Sequence, residues 1–399
     1  MKFTSFKTGG IYIHIPFCVN KCPYCDFYSI TDLSLKSRYL QALLKEMQLG
    51  RLPSLAFDTL YLGGGTPSVF DPAEIEQIIE TAYAQLKILP DAEVTLEVNP
   101  GTVTLDSLKA YRAVGINRLN IGIQSFQDAN LEFLGRIHSA KDAALAMAWA
   151  RQAGFDNIGI DLIYGLPQQT GENWRFDLEH GVQLRPDHLS CYMLTCEPGT
   201  GLDRDLRCGR YRPLEDGKVR ALFDLTMDYL KAHGYLHYEI SNYARKTGED
   251  APPRMSRHNL KYWTFAPYVG LGAAAHSFIE PQRSWNYSDV KRYIRKLDSR
   301  KRPVEETEVL TPEQLLTEAV FLGLRTIKGI DLVAFKRKFG LDFLMSYKKT
   351  ISELENEGLL QRQPDRIALS RKGLALLDSV VSMFTGQQIK VPDYGGVDP

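Results

Sequence analysis

The chain has 399 residues, with 48 Lys and Arg against 48 Asp and Glu, 44% hydrophobic residues and six cysteines. At roughly 100–200 residues per domain this allows two or three domains, and the composition excludes disordered, fibrous and collagen-like chains. Zero net charge leaves no global field to recruit nucleic acid or anionic lipid. Lys7 and the Gly9-Gly10 pair interrupt any secretory signal core, and no uncharged apolar run approaches the ~18 residues of a membrane span. A soluble, cytoplasmic protein without a membrane span is expected, and clustered thiols in such a compartment point to metal or catalysis.

In chain order, short β-branched runs alternate with amphipathic stretches. Strands are predicted at Ile11–Ile15, Thr59–Leu62, Val94–Val98, Arg118–Ile123, Ile158–Ile163 and Leu189–Leu194. Helices are predicted at Ser34–Leu49, Pro72–Leu86, Leu105–Val114, Ala140–Ala153, Glu172–Gln183 and Glu215–His233. Repeated strand–helix units require parallel strands with right-handed crossovers, in an α/β fold that is either barrel-like or doubly wound. Runs such as Ile158-Gly-Ile-Asp-Leu-Ile163 read as apolar on both faces. Chemistry in such folds gathers at the C-terminal strand ends. There stand the thiols after the first strand, Gly63-Gly-Gly-Thr-Pro67 after the second, Glu97 and Asn99 at the third and Gln124 after the fourth.

Residues 1–235 form this core, and 236–300 read as an aromatic and Gly-rich extension. Arg300–Glu308 reads as a charged linker. Thr311-Pro-Glu-Gln314 is a capping-box start, followed by helices at Gln314–Leu324, Leu332–Phe339 and Phe343–Glu357 and a strand at Arg366–Ser370. Residues 301–390 therefore suggest a smaller, mainly helical, winged-helix-like domain, and 391–399 a flexible tail. Residues 291–390 carry 19 Lys and Arg against 13 Asp and Glu. Surface cations usually solvate a face, so no nucleic acid is expected as a partner.

Cys18, Cys22 and Cys25 follow a C-x3-C-x2-C spacing, whereas Cys191, Cys196 and Cys208 are scattered. Three thiolates on one tight loop can hold a [4Fe-4S] cluster by three corners and leave the fourth iron open. The alternatives are unrelated thiols or a zinc site, for which His14 on the first strand is the available fourth ligand.

The spacing, followed by the Gly-Gly-Gly-Thr-Pro loop, resembles the radical S-adenosylmethionine (SAM) superfamily, which implies a partial (β/α)6 barrel with SAM on the open iron. The chain from Tyr12 to Asp378 resembles the oxygen-independent coproporphyrinogen dehydrogenase group, and most closely its HemW-type haem chaperone branch. This rests on His14-Ile-Pro-Phe17, Gly63–Ser68, Glu97-Val-Asn-Pro100, Asn120–Ser125, Asp161–Pro167, Tyr238–Tyr243 and Gly270-Leu-Gly-Ala273. The resemblance implies that Tyr12, Gly64 and Glu97 contact the cluster-bound SAM. It implies that Tyr24, Gly65, Thr66, Gln124, Arg136 and Asp161 match contacts to a second SAM in the dehydrogenase. That enzyme has a further Cys where this chain has Phe27, an Asp-Pro-Arg where this chain has Asn99-Pro-Gly101, and an N-terminal extension. These departures argue against decarboxylation of coproporphyrinogen.

His258-Asn259-x-x-Tyr262-Trp263 matches the HNxxYW motif that the chaperone branch associates with haem. Imidazole is a good iron ligand, and Tyr and Trp offer flat apolar faces. His138, His188, His237 and His276 read as structural, Cys191 as a packed thiol and Asp26 as a turn cap. The function implied is haem binding and delivery to acceptor apoproteins, membrane respiratory enzymes among them, by a monomer or dimer with no catalytic residue assigned. The alternatives are a radical-SAM enzyme acting on a porphyrin and an RNA-modifying one.

Overall fold

The computed structural model describes residues 8–49, 55–246, 248 and 252–385; the 391–399 segment expected as a tail lies outside them. Six strands run parallel in sequence order: β1 (Thr8–Ile15), β2 (Ala56–Gly64), β3 (Ile88–Val98), β4 (Arg118–Gln124), β5 (Ile158–Tyr164) and β6 (His188–Met193). A doubly wound sheet needs a reversal of strand order, and none occurs here. Right-handed crossovers that always step the same way put every helix on one face, so the sheet curls and leaves its other face as a lumen. Four of the helices between the strands begin on reciprocal capping boxes, at Asp71/Glu74, Thr104/Ser107, Ser139/Asp142 and Thr170/Asn173.

Residues 236–300 do not stand apart from the sheet but extend it at both ends. After β6 come β8 (Asn242–Arg245) and then β7 (Tyr235–Glu239), joined antiparallel. On the other side β9 (Tyr268–Leu271) pairs parallel with β1, followed by β10 (His276–Ile279), β11 (Gln282–Asn286) and β12 (Val304–Val309) in antiparallel array. The order β12-β11-β10-β9-β1-β2-β3-β4-β5-β6-β8-β7 ends at β12 and β7. The stretch expected as a charged linker thus contains an edge strand. Its glutamates pair with cations, Glu308 with Arg283 and Glu305 with Arg292, and charge on an edge strand deters edge-to-edge association.

The expectation that the strands are apolar on both faces is also corrected. Ile11, Ile13, Leu60, Leu62, Leu96 and Ile121 are fully buried on the helix-covered face. The alternate positions, among them Tyr12, Thr59, Tyr61, Glu97, Asn120 and Asp161, bear polar groups that bond to one another or to the lumen's other occupants. A barrel of this family of shapes is ordinarily plugged by branched apolar side chains; a polar lining instead defines a site.

The C-terminal part runs helix Pro312–Arg325, β13 (Ile330–Asp331), helices Leu332–Phe339, Phe343–Ser346 and Lys348–Asn356, then β14 (Leu360–Arg362) and β15 (Arg366–Leu369), with sheet order β13-β15-β14. That succession is a winged helix, as expected, and its first helix starts on the Thr311/Gln314 box. It docks on the barrel through Arg325 Nε–Glu239 Oε2 (2.8 Å), Arg283–Glu318 (2.6 Å), Lys338–Glu280 (2.7 Å) and Arg371 with Asp224 and Asp228. No helix among the described residues is long and apolar enough to cross a membrane.

Glu239 has no solvent exposure and Arg325 little, so this pair lacks the solvent screening that makes most docking ion pairs weak. Glu239→Ala strands a half-desolvated guanidinium and is expected to cost about 3–5 kcal/mol. The measurement is the shift in urea midpoint; a shift no larger than that of the exposed Lys349→Ala would show the pair to be dispensable.

Candidate functional site

The loop after β1 carries the three thiols. Its base is closed by Cys18 N to Ile30 O (3.0 Å) and Ile30 N to Pro16 O (2.7 Å), so the cysteines lie on a loop with fixed ends; Cys25 N to Cys22 O (3.1 Å) makes a turn within it. Cys18 is buried, Cys22 and Cys25 half-buried, and burial pushes the Cys25 thiol up. Thr66 Oγ1 lies 3.5 Å from Cys18 Sγ, and Arg136 Nη1 lies 3.6 Å from Cys22 Sγ. His14, the candidate zinc ligand, has both nitrogens engaged, Nδ1 with the Tyr12 hydroxyl (3.1 Å) and Nε2 with Tyr28 O (2.9 Å). Among the described residues no three His, Cys, Asp or Glu side chains converge to hold a single ion. The donor set suits a group that spans the loop, with thiolate charge offset by Arg136.

The Gly loop is clamped onto the thiol loop by Gly65 N to Ile15 O (2.9 Å) and Thr66 N to Phe17 O (2.8 Å). Gly64 has φ +114°, and a Cβ there would fall 2.6 Å from the His14 ring; a Cβ on Gly65 would fall 3.0 Å from Cys18 Sγ. Gly64 needs glycine for conformation and for room, and Gly65 for room.

Beneath this rim lies the polar lumen. Glu97 Oε1 accepts from the Tyr61 hydroxyl (2.7 Å) and Oε2 from Gly64 N (3.1 Å). Burial pushes the Glu97 carboxyl up to about 7 and that of Asp161 up to about 6. Asp161 Oδ2 accepts from Asn120 Nδ2 (2.7 Å), while the buried Oδ1, with the hydroxyl of its cross-strand neighbour Ser190 close by, makes no well-formed hydrogen bond among the described residues. Arg136 Nη2 donates to Gly122 O (2.8 Å), and its buried Nε makes no hydrogen bond among the described residues. Tyr24 lies beside Arg136, and burial raises its hydroxyl pKa. Gln124 ends β4 with φ 72°, at a bulge against β5. A Cβ on Gly122 would fall 2.9 Å from Gln124 Nε2 and 3.4 Å from Arg136 Nη2, so those two side chains share one space. The nine positions expected around SAM therefore lie along one continuous surface of rim and lumen, and the Asp161 and Arg136 atoms with no hydrogen bond among the described residues leave an acceptor and a donor for a polar ligand.

The expected haem residues are placed differently. His258 is 1% exposed, pairs through Nδ1 with Thr59 Oγ1 (2.8 Å) and through Nε2 with the Tyr262 hydroxyl (3.0 Å), and stacks on Tyr61 at 5.0 Å. Burial pushes its pKa down to about 3. The ring is a packed lumen group with both nitrogens engaged. Asn259 is half-buried, its N–H donating to Ser256 Oγ at the helix start. Tyr262 meets Tyr268 edge-on at 4.8 Å. Trp263 lies under the Arg325 guanidinium at 4.3 Å, with a buried Nε1 that has no partner. The Arg257–Trp263 helix is thus a wedge between lumen and C-terminal domain. Tyr61, Asn120 and Thr59 were not among the expected site residues; the period-2 alternation of their strands is the signal that would have found them.

The profile of the radical SAM superfamily matches residues 12–180, and that of the HemN C-terminal domain residues 310–376. The chain is 33% identical over 381 residues to the haem chaperone HemW of Bacillus subtilis (strain 168), covering 94% of this chain and 99% of that one. It is 38% identical over 273 residues to the haem chaperone HemW of Escherichia coli (strain K12), covering 67% and 69%. The solved structure of coproporphyrinogen III oxidase (HemN) from Escherichia coli, a radical SAM enzyme, superposes with a TM-score of 0.82 at 25% identity, covering 95% and 90%.

Glu97 dictates a pH response. A carboxyl whose folded pKa is raised stabilises the fold below its unfolded pKa, and that contribution is lost as pH rises through the folded value, here between about 4.5 and about 7. Wild type is therefore expected to lose on the order of 3 kcal/mol relative to Glu97→Gln across that window, measured by denaturant unfolding at each pH. A constant difference between the two proteins would show that Glu97 is not the titrating group.

Proposed function

Because the chain belongs to the haem chaperone HemW family of radical SAM proteins, we propose that it binds haem and delivers it to acceptor apoproteins in the cytoplasm. Cys18, Cys22 and Cys25 would hold three irons of a [4Fe-4S] cluster, and Tyr12, Gly64 and Glu97 would receive SAM at the fourth. When bound, cluster and SAM supply an electron-accepting, cleavable sulfonium, chemistry that here serves to regulate loading. The chain's own contribution is to match charge: an ionised Glu97 opposes an ammonium, Arg136 opposes thiolate, and the Asp161 oxygen without a well-formed hydrogen bond accepts from a ligand. Tyr24, Gly65, Thr66 and Gln124 complete that rim. Phe27, exposed at 67%, replaces the dehydrogenase's further cysteine.

The observation that carries this reading is the seat of the HNxxYW helix. His258 stacks on Tyr61, whose hydroxyl holds Glu97, so the motif of the haem branch is packed against the carboxylate expected at SAM. His258, Asn259, Tyr262 and Trp263 then frame the haem region, and SAM occupancy is felt there through Tyr61. The fold-level likeness to HemN favours a second reading, a radical-SAM oxidation of a porphyrin; coproporphyrinogen-dependent release of 5′-deoxyadenosine under anaerobic reduction would support it, and its absence would reject it.

After anaerobic reconstitution the wild type is expected to show iron–sulfur absorption that Cys18→Ala, Cys22→Ala and Cys25→Ala together abolish. It is expected to give a Soret band on haem titration, and His258→Ala with Tyr262→Ala to weaken haem by about tenfold or more, roughly 1.4 kcal/mol. Unchanged affinity in that variant would remove the motif from the haem site. SAM affinity is expected to rise with pH through about 7 as Glu97 ionises, and equilibrium dialysis of Glu97→Gln to lose that rise.

A further inference from the structure

Seven of the eight histidines have at least one ring nitrogen bonded within the protein: His14, His138, His180, His188, His233, His237 and His258. His276 is exposed, and neither of its ring nitrogens makes a hydrogen bond among the described residues. It follows an apolar Gly-Ala run and begins β10, where the sequence offers no sign of a ligand role.

The sheet register gives His276 its surroundings. Gly270 pairs with Tyr12 across β9 and β1, and Tyr268 pairs with Gly10. Phe278 pairs with Tyr268, and His276 with Trp285. Paired residues share a face, as do residues two apart on a strand. His276, Phe278 and Trp285 therefore stand on the same face as Tyr12, the lumen face; there Phe278 is buried against Phe265, its cross-strand partner Arg283 pairs with Glu318 of the C-terminal domain, and His276 is exposed. The Trp285 indole lies parallel to the His276 imidazole, with centroids 5.7 Å apart and planes at 26°. Imidazole on iron stands upright on the porphyrin plane, so a parallel indole meets the porphyrin edge-on and fixes the ring's orientation. Partial desolvation on its packed side and then the Arg283 charge hold the imidazole below its ordinary pKa of 6.5, with Glu308 opposing. His14 is the other titratable group coupled to it. The ring is thus neutral near neutral pH, with a nitrogen lone pair free to donate.

We propose that His276 is the axial iron ligand of the haem cargo and that Trp285 is its positioning residue. This rests on the haem-chaperone reading above, and it assigns the buried His258 to framing the site. Haem so placed lies across β9 from Tyr12, next to the expected SAM contacts.

The test is haem titration of the full chain in four forms: wild type, His276→Ala, Trp285→Ala and His258→Ala, followed by the Soret position and affinity. His276→Ala is expected to shift the Soret band and weaken haem about tenfold or more, with excess free imidazole restoring the band. Trp285→Ala is expected to weaken haem without changing the ligand set. His258→Ala, which empties a packed site, is expected to resist rescue by imidazole. A His276→Ala protein with wild-type spectrum and affinity overturns the assignment, as does imidazole rescue of His258→Ala in its place. Failure of the wild type itself to bind haem overturns the chaperone reading and this assignment with it. His276 is exposed, and an unchanged urea midpoint of His276→Ala separates ligand loss from unfolding.

Discussion

Strand order is the constraint from which the site follows. Six parallel strands taken up one after another, each crossover of the same hand, force all the covering helices to one side. The other side is left to face itself, and what lines it is decided by alternate residues alone. This chain places Tyr12, Tyr61, Glu97, Asn120 and Asp161 at those positions. Their cost in desolvation is visible in the raised carboxyl pKa values, and their hydrogen bonds to one another limit it. The thiol and glycine loops sit at the C-terminal ends of the first two of these strands, so the rim and the lumen are one continuous surface.

The Arg257–Trp263 helix links that surface to the rest of the molecule. One end sets His258 between Thr59 and Tyr61 inside the lumen, and the other sets Trp263 beneath Arg325 of the C-terminal domain. Lys261 on the same helix pairs with Asp58 of β2 at 2.6 Å. A motif associated with haem therefore has the contacts of a structural keystone, and substitutions in it act on packing as well as on any ligand.

Much of this was legible from the sequence for reasons that are local. The thiol spacing, the glycine loop and the six strand–helix units each declare themselves within a few residues, and so does the capping box that opens the winged helix. What escaped notice depends on non-local pairing. β7 to β12 are short strands, five of the six only four or five residues long, in a region of aromatics, Gly and Pro, and the pairings that attach them to the barrel, β8 to β6 and β9 to β1, join segments far apart in sequence. Val304-Glu-Glu-Thr-Glu-Val309 read as a linker because its charge is that of a solvated coil, whereas an edge strand tolerates the same charge. The lumen residues were hidden by a wrong choice of faces: in Ile158-Gly-Ile-Asp-Leu-Ile163 the face opposite Ile158, Ile160 and Leu162 carries Gly159 and Asp161 beside Ile163. His258 was legible as a motif but not as a buried group, because burial is a property of the wedge it belongs to.

The sheet stops at β7 on one side and β12 on the other, and the C-terminal domain grips both margins: Glu239 at one, and Glu280 and Arg283 at the hairpin near the other. At the β7 margin a single backbone bridge, Glu239 to Thr326, with Ile327 N donating to Tyr238 O (3.2 Å), joins these charged side chains in place of a full ladder. Salt screens the Arg283–Glu318 pair, with both side chains at 27% exposure, more than the Glu239 carboxylate, which has none. The C-terminal domain thus acts as a clasp that holds both margins of the sheet at once.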